Sequence, residues 1–452
     1  MPSRRPVALL AVLVGLFQLL IGLVAWRSYR IGSWDLTLFD TIVRAYAHFR
    51  APIEPALGTH LGVGPDLNAF GDHFSPILAL LAPLYWVYAD PRMLILAQAL
   101  LVAVSTAVTW RIAERAMGPA VAYAVALGFG LAWPLQEASL TGFHESLFVA
   151  PLLLLAFERL QAGRPGQAAL WAAALVTVKE DMGLLTAFFG LLLVVRRERR
   201  LGAALAVFGL AMFWFTSSVV VPHYWGHGSP DGDYYRALKD ALPNPADTFD
   251  VVLRPVQKEQ TLGWLLLPWA FLPLLSSAVL VVLPQVGERF ASSNPNHWGL
   301  MQHYNAVLLP AIVVAGVETA RRMPRAMQAV WAVWVVVAAV WLTGRHPGSL
   351  LWDGDSWKVD ARERAAASAV AAVPHGVTVE ADNEIGPHLA RHDTVLLLDR
   401  TPRDAPWVVV DTGVPSFPVD SLAAQRQRVV DLVARGYALV LDNGQYAVLH
   451  RP

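Results

Sequence analysis

The residues of this chain best suited to chemistry are polar groups set among long apolar runs. Lys179-Glu180-Asp181 separates apolar runs at 168–178 and 182–195. An ionisable side chain at the centre of a membrane helix costs about 2.5–3.5 kcal/mol, so the triplet belongs at a membrane boundary or against a wet cavity. A lysine placed there is a partner for phosphate or carboxylate, with Glu180 or Asp181 orienting it or completing an ion pair. Upstream, the stretch Ser33-Trp34-Asp35-Leu36-Thr37-Leu38-Phe39-Asp40-Thr41 offers two carboxylates. Five residues on a helix turn about 140° away from register, so only one of Asp35 and Asp40 points into a shared site. A carboxylate fixed at an interface can deprotonate an acceptor hydroxyl or bind a metal.

His73, His144-Glu145 and His303-Tyr304 add imidazole, carboxylate and phenol. Imidazole and carboxylate are competent metal ligands. None of these residues sits in an HxxxH or HExxH spacing, so no metal site is assigned and a divalent cation stays only an open cofactor. Taken singly, each polar residue also reads as a solvated helix end, His223 and Lys179 most readily. The weight lies in the set emerging on one face.

What must position these groups is a membrane bundle. Of the 452 residues, 55% are hydrophobic and 15% charged, and mean hydropathy is +0.44. Thirty-five basic and 35 acidic residues give no net charge, so nothing points to nucleic acid; the bilayer is the expected partner. Absence of cysteine excludes disulfides, thiolate metal sites and cysteine nucleophiles. Seventeen tryptophans fit interfacial belts.

The run 7–26 reads as an uncleaved anchor, and Arg4 and Arg5 place the N-terminus in the cytoplasm. Further apolar runs fall at 75–88, 93–110, 119–135, 146–160, 167–178, 182–195, 203–221, 264–287, 305–320 and 327–343. The run 75–88 is short and opens on Pro76, which predicts an interfacial or re-entrant helix. The run 264–287 is expected to form a hairpin of half-helices broken near Ser276-Ser277, its first half extended by the segment from Thr248. With those two assignments Arg111/Arg115, Arg159/Arg164, the basic cluster 196–200 and Arg321-Arg322-Met323-Pro324-Arg325 share the cytoplasmic side. Asp35, Asp40, Asp72-His73, Phe143-His144-Glu145, Lys179-Glu180-Asp181, His223-Tyr224 and His303-Tyr304 share the other.

Beyond the last span the chain turns polar. Strands are predicted at 378–380, 394–398, 407–410, 438–441 and 445–449, and helices at 360–373 and 421–434. Asp442-Asn443-Gly444 is a hairpin signal. The expected organisation is a multipass domain over 1–350, with a long first outer loop at 27–75, and a soluble α/β domain over 351–452. The α/β domain falls outside by parity, on a cell membrane. Asp382-Asn383-Glu384 and His388 then read as surface residues more readily than as groups facing the site.

The order Trp34-Asp35-Leu36-x-Leu38-Phe39-Asp40, Asp72-His73-Phe74-Ser75-Pro76-Ile77, Pro83-Leu84-Tyr85, Gln98, Gly142-Phe143-His144-Glu145, Lys179-Glu180-Asp181 and Gln302-His303-Tyr304-x₅-Pro310 resembles a prokaryotic family of multipass membrane proteins, classed as a domain of unknown function. The family usually has Pro where this chain has Glu145. It is similar in turn, more weakly, to the GT-C membrane glycosyltransferases, which use polyprenyl-phosphate sugars. That resemblance implies a mainly helical GT-C-like bundle with a small extracytoplasmic α/β domain. It makes Asp35 or Asp40 the carboxylate that activates the acceptor. Lys179 would meet the lipid phosphate, with His73, His144, Glu145, Glu180, Asp181, His303 and Tyr304 around the substrate. The competing readings are a non-catalytic protein that binds or translocates a lipid or glycan, and an assembly scaffold.

Overall fold

The computed structural model describes residues 5–226 and 236–452. Arg4, one of the two arginines that orient the N-terminus, lies outside the described residues. Among the described residues five helices are long and apolar enough to cross a membrane: Arg5–Arg27, Arg92–Met117, Pro119–Leu140, Arg199–Trp225 and Arg325–Thr343. Shorter apolar helices, Met182–Val195 and Leu309–Ala320, pack among them. The run opening on Pro76 forms a 3-10 turn, Pro76–Leu81, then a helix, Ala82–Val87. Twelve residues are too few for a full crossing.

The run 264–287 is interrupted at the extended Ser276, near the expected Ser276-Ser277 break, and at a second, unexpected point. The second lies at Ala270 and Phe271, both left-handed with φ of 53° and 58°, between Pro268 and Pro273. Ser276, extended between two 3-10 turns, then starts the next one, its side chain accepting the Ala278 amide. The segment from Thr248 does not extend the first half. Its helix, Pro245–Leu253, ends before Pro255, and a new one begins at Gln257. A proline nitrogen carries no hydrogen to continue the helical ladder.

Helices Met182–Val195 and Arg199–Phe215 pack along a seam of four glycines with seven-residue spacing, Gly183 and Gly190 facing Gly209 and Gly202. A Cβ on Gly190 would lie 2.5 Å from the Ala206 nitrogen and 2.7 Å from the Gly202 oxygen. Backbones approach this closely only when side chains are absent. At the far end of the Met182–Val195 helix, Arg196 binds Glu318 at 2.6 Å and Ser277 at 3.1 Å. Arg111, Arg115 and Arg159 converge on the buried Glu158. The basic clusters thus neutralise buried acids while leaving an excess of positive charge. Lys179 and Arg196 sit at opposite ends of one 14-residue helix, about 21 Å apart along its axis.

The C-terminal part carries a five-stranded sheet of order β2-β1-β3-β5-β4, formed by β1 (Thr378–Ala381), β2 (Thr394–Leu397), β3 (Trp407–Asp411), β4 (Ala438–Asp442) and β5 (Tyr446–His450). β1 is parallel to β2 and β3; β5 is antiparallel to β3 and β4. Alternation along β3 and β5 sends Val409, Tyr446 and Val448 to the side of helix Ala361–Ala371, and Val408, Val410, Ala447 and Leu449 to the side of Leu422–Ala434. Gly444, at φ 79°, turns the β4–β5 hairpin as its Asn-Gly signal predicts.

Candidate functional site

A cavity of about 800 Å³ lies where the first loop, the Lys179 turn and the carboxyl ends of the parallel strands meet. Ligand pockets commonly enclose about 300–1,000 Å³. Asp35, His73, His144, Lys179, Glu180, Asp181, His303 and Tyr304 all line it, so eight of the ten sequence candidates share one space.

Asp35 stands just before the amphipathic helix Leu36–Ala47, whose buried face carries Leu36, Phe39, Ile42, Val43 and Ala47. Burying that face aims Asp35 at the cavity. Its side chain makes no capping bond and no hydrogen bond to any described residue. Burial, reinforced by Glu145 and opposed by Lys179 and His73, pushes its carboxyl up to about 7.

Asp40 stands apart from the other candidates. It lies on the buried face of the helix, away from the cavity, where Arg44 grips it at 3.0 Å and the Tyr85 hydroxyl donates to it at 2.6 Å. Both partners follow from packing: Arg44 is one turn on, and Tyr85 belongs to the short Ala82–Val87 helix that clamps this face. Asp40 is a structural anchor. Glu145 also stays outside the cavity, fully buried behind His144 with Oε2 2.9 Å from its Nδ1.

The triplet divides its roles. Glu180 accepts from His73 Nδ1 at 3.0 Å and from the Phe74 amide at 3.1 Å, so it is paired rather than merely solvated. Asp181 accepts from Gln285 at 2.9 Å. Lys179 donates no hydrogen bond to any described residue, and its ammonium is left to the cavity. Burial opposes its charge, but Glu180, Asp181 and Glu145 outweigh that and hold it protonated. For His73, burial works against the charged form, while Asp72 and Glu180 prevail and push it up to about 10.

The His144 and His303 rings stack with centroids 3.3 Å apart. One ligand atom from each, with one Asp35 oxygen, fall within 4.8 Å of one another. Spacing in sequence missed this trio because its members come from three separate loops. Also missed are Glu54, buried with neither oxygen hydrogen-bonded, and Glu288, Arg289 and His297, all on the cavity wall. Arg289 holds the Tyr304 carbonyl and binds Gln285 at 3.1 Å. A Glu-Arg pair at 288–289 inside a mainly apolar stretch was the available signal. His223 is exposed and outside the cavity.

The roof comes from the C-terminal sheet. Asn383, just past β1, accepts the Ser33 amide at 2.7 Å on its carbonyl and the Trp34 amide at 3.1 Å on its side chain. Asp399, past β2, meets His60 at 3.0 Å. His388 is half-buried against Trp26 and Tyr29, with ring centroids 4.1 and 4.0 Å away. Asn383 and His388 therefore serve docking, where sequence favoured solvation. In open α/β sheets the carboxyl ends of strands are where ligands bind, and here that edge faces the cavity.

The family model described as "Predicted membrane protein (DUF2079)" matches residues 27–430. The chain belongs to the DUF2079 family. No curated protein sequence matches this DUF2079 chain. Among solved structures it is similar to ArnT from Cupriavidus metallidurans bound to undecaprenyl phosphate, with TM-score 0.55, 13% identity and 97% of each chain covered. The apo state of that ArnT gives 0.53 at 14% identity, again over 97% of each chain. At such identity the likeness is one of fold. The expected GT-C-like helical bundle with a small C-terminal α/β part is the architecture this DUF2079 protein has.

Proposed function

We propose that this protein is a membrane glycosyltransferase of the GT-C type, moving a sugar from a lipid-phosphate carrier to an acceptor on the outer face of the plasma membrane. In this reading 1–350 is the membrane domain and 351–452 an extracytoplasmic one. The observation that carries it is one cavity in which an unbonded carboxylate, Asp35, and an unbonded ammonium, Lys179, both face the same space.

The chemistry follows from those two groups. The bond between the sugar's anomeric carbon and the phosphate oxygen breaks, and a bond from the acceptor hydroxyl oxygen to that carbon forms. The acceptor proton passes to Asp35, whose carboxyl near 7 suits a base at neutral pH. The polyprenyl phosphate leaves with its charge met by Lys179. The fold shared with an ArnT crystallised with undecaprenyl phosphate supports a carrier of that class. Arginines grouped at 196–200, about 21 Å from Lys179, support an outward-facing cavity with a cytoplasmic N-terminus.

The test uses purified protein in vesicles, a sugar-labelled polyprenyl-phosphate lipid fraction and an envelope fraction as acceptor. Label should move from lipid to acceptor with wild type and not with Asp35→Asn. Lipid that binds without any transfer would leave the binding or translocation reading in its place.

A further inference from the structure

We propose that Asp35, His144 and His303 form a divalent-cation site of the zinc class in the wall of this cavity. The inference deepens the transferase reading by naming a cofactor for the same space, and its test is kept free of sugar transfer.

Two imidazoles and a carboxylate are a nitrogen–oxygen donor set suited to zinc, and their ligand atoms lie within 4.8 Å of one another. Two of the three are unsatisfied. The Asp35 carboxylate has no hydrogen-bond partner among the described residues. His303 is only 4% exposed, and its Nδ1 is buried without a partner. An imidazole nitrogen kept dry and unbonded loses free energy unless something else takes its lone pair.

The third ligand is oriented from behind. Glu145 Oε2 lies 2.9 Å and Ser146 Oγ 3.0 Å from His144 Nδ1. The Ser146 amide also donates to that Nδ1 at 3.3 Å, so Nδ1 is the ring nitrogen the chain engages and Nε2 the one left for an ion. Glu145, with no exposed surface, makes no other ion pair among the described residues.

One Asp35 oxygen would hold the ion while the other stays available to the acceptor proton.

The experiment takes tag-free, full-length protein in detergent, strips it with EDTA, and titrates Zn²⁺ against a chromophoric chelator with bound metal counted by mass spectrometry. Wild type should take up one zinc per chain. His144→Ala and His303→Ala should each abolish it, and Glu145→Gln should weaken it about 10- to 100-fold. His223→Ala, exposed and outside the cavity, should bind as wild type does. If an alanine variant fails to give a monodisperse protein, the glutamine variant of the same histidine replaces it. Stripped wild type that takes up no zinc overturns the site, as do His144 and His303 variants that bind like wild type. Zinc uptake without sugar transfer would overturn the transferase reading alone; transfer by a protein that binds no zinc would overturn this one alone.

Discussion

Asn383 holds the backbone on both sides of the Ser33–Trp34 peptide, taking one amide on its carbonyl at 2.7 Å and the next on its side chain at 3.1 Å. Asp35 is the following residue. The end of β1 therefore sets where the Asp35 carboxylate sits, and the C-terminal sheet becomes part of the site rather than an appendage. His60, on the cavity wall, with Asp399, and Arg391 with the Tyr88 hydroxyl at 2.6 Å, tie the same two parts together.

Replacing Asn383 by Ala removes the side-chain acceptor but leaves the carbonyl. The stability loss should be small, about 0.5–1.5 kcal/mol for one hydrogen bond. Transfer should suffer more, because a displacement of about 1 Å at a reacting group can cost on the order of 100-fold. A fall in kcat with little change in melting temperature is the expected result, and Asn383→Asp, which keeps the acceptor, should recover most of it.

Asp35 and Asp40 separate chemistry from scaffolding. Asp35→Asn should lower transfer by about 10²- to 10⁴-fold, the usual range for a general base, with melting unchanged. Asp40→Asn leaves Arg44 and the Tyr85 hydroxyl facing a neutral group in a buried pocket. Arg44 is 28% exposed, so the loss is that of charge-assisted hydrogen bonds, about 1.5–3 kcal/mol. That variant should melt well below wild type, while the fraction that folds keeps its turnover.

Much of this was legible in the residues because the same physics that makes a polar group expensive in lipid makes it conspicuous in sequence. Lys179, His73, His144 and His303 interrupt or border apolar runs, and parity of the spans brings them to one side. Glu54 was not legible. It lies in a polar-looking loop, and only a long-range pairing, its amide to the Leu67 carbonyl at 2.8 Å, buries it. The break in 264–287 was visible as prolines at 268 and 273, but which residues would go left-handed depends on packing against Leu309–Ala320, which local pattern does not encode. The strands of the C-terminal sheet matched to within a residue or two because alternation of Val and Leu over short runs is a local signal.

Lys179 can be tested apart from turnover. Lys179→Met removes a donor with no hydrogen-bond partner among the described residues, but it leaves the nearby Glu180, Asp181 and Glu145 less compensated, so some loss of stability should accompany the loss of binding. Binding of a polyprenyl phosphate should weaken by about 10- to 150-fold, the equivalent of about 1.5–3 kcal/mol for one charge-assisted contact. Lys179→Arg should retain part of the affinity. Fluorescence competition with a labelled carrier lipid would read both.

The glycine seam predicts a sharp steric asymmetry. Gly190→Leu places a Cβ 2.5 Å from a backbone nitrogen, so the two helices must separate. A loss of about 1–3 kcal/mol is the minimum expected from such overpacking. Gly263, where an added Cβ meets nothing within 4 Å, should accept Ala without loss. Melting curves in detergent would compare the two.

The His73–Glu180 pair makes stability depend on alkaline pH. The folded His73 holds its proton up to about 10, whereas the unfolded chain releases it near 6.5. Between those values the folded state binds more protons, so stability falls as pH rises. The contribution is fully present below about pH 6.5 and is lost as pH climbs through about 10. His73→Asn lacks this proton. The melting temperature of wild type should exceed that of the variant most near pH 6, and the gap should close progressively toward about pH 10. A gap that stayed constant over that interval would mean that His73 is neutral in the folded protein and that the contact with Glu180 is an ordinary hydrogen bond.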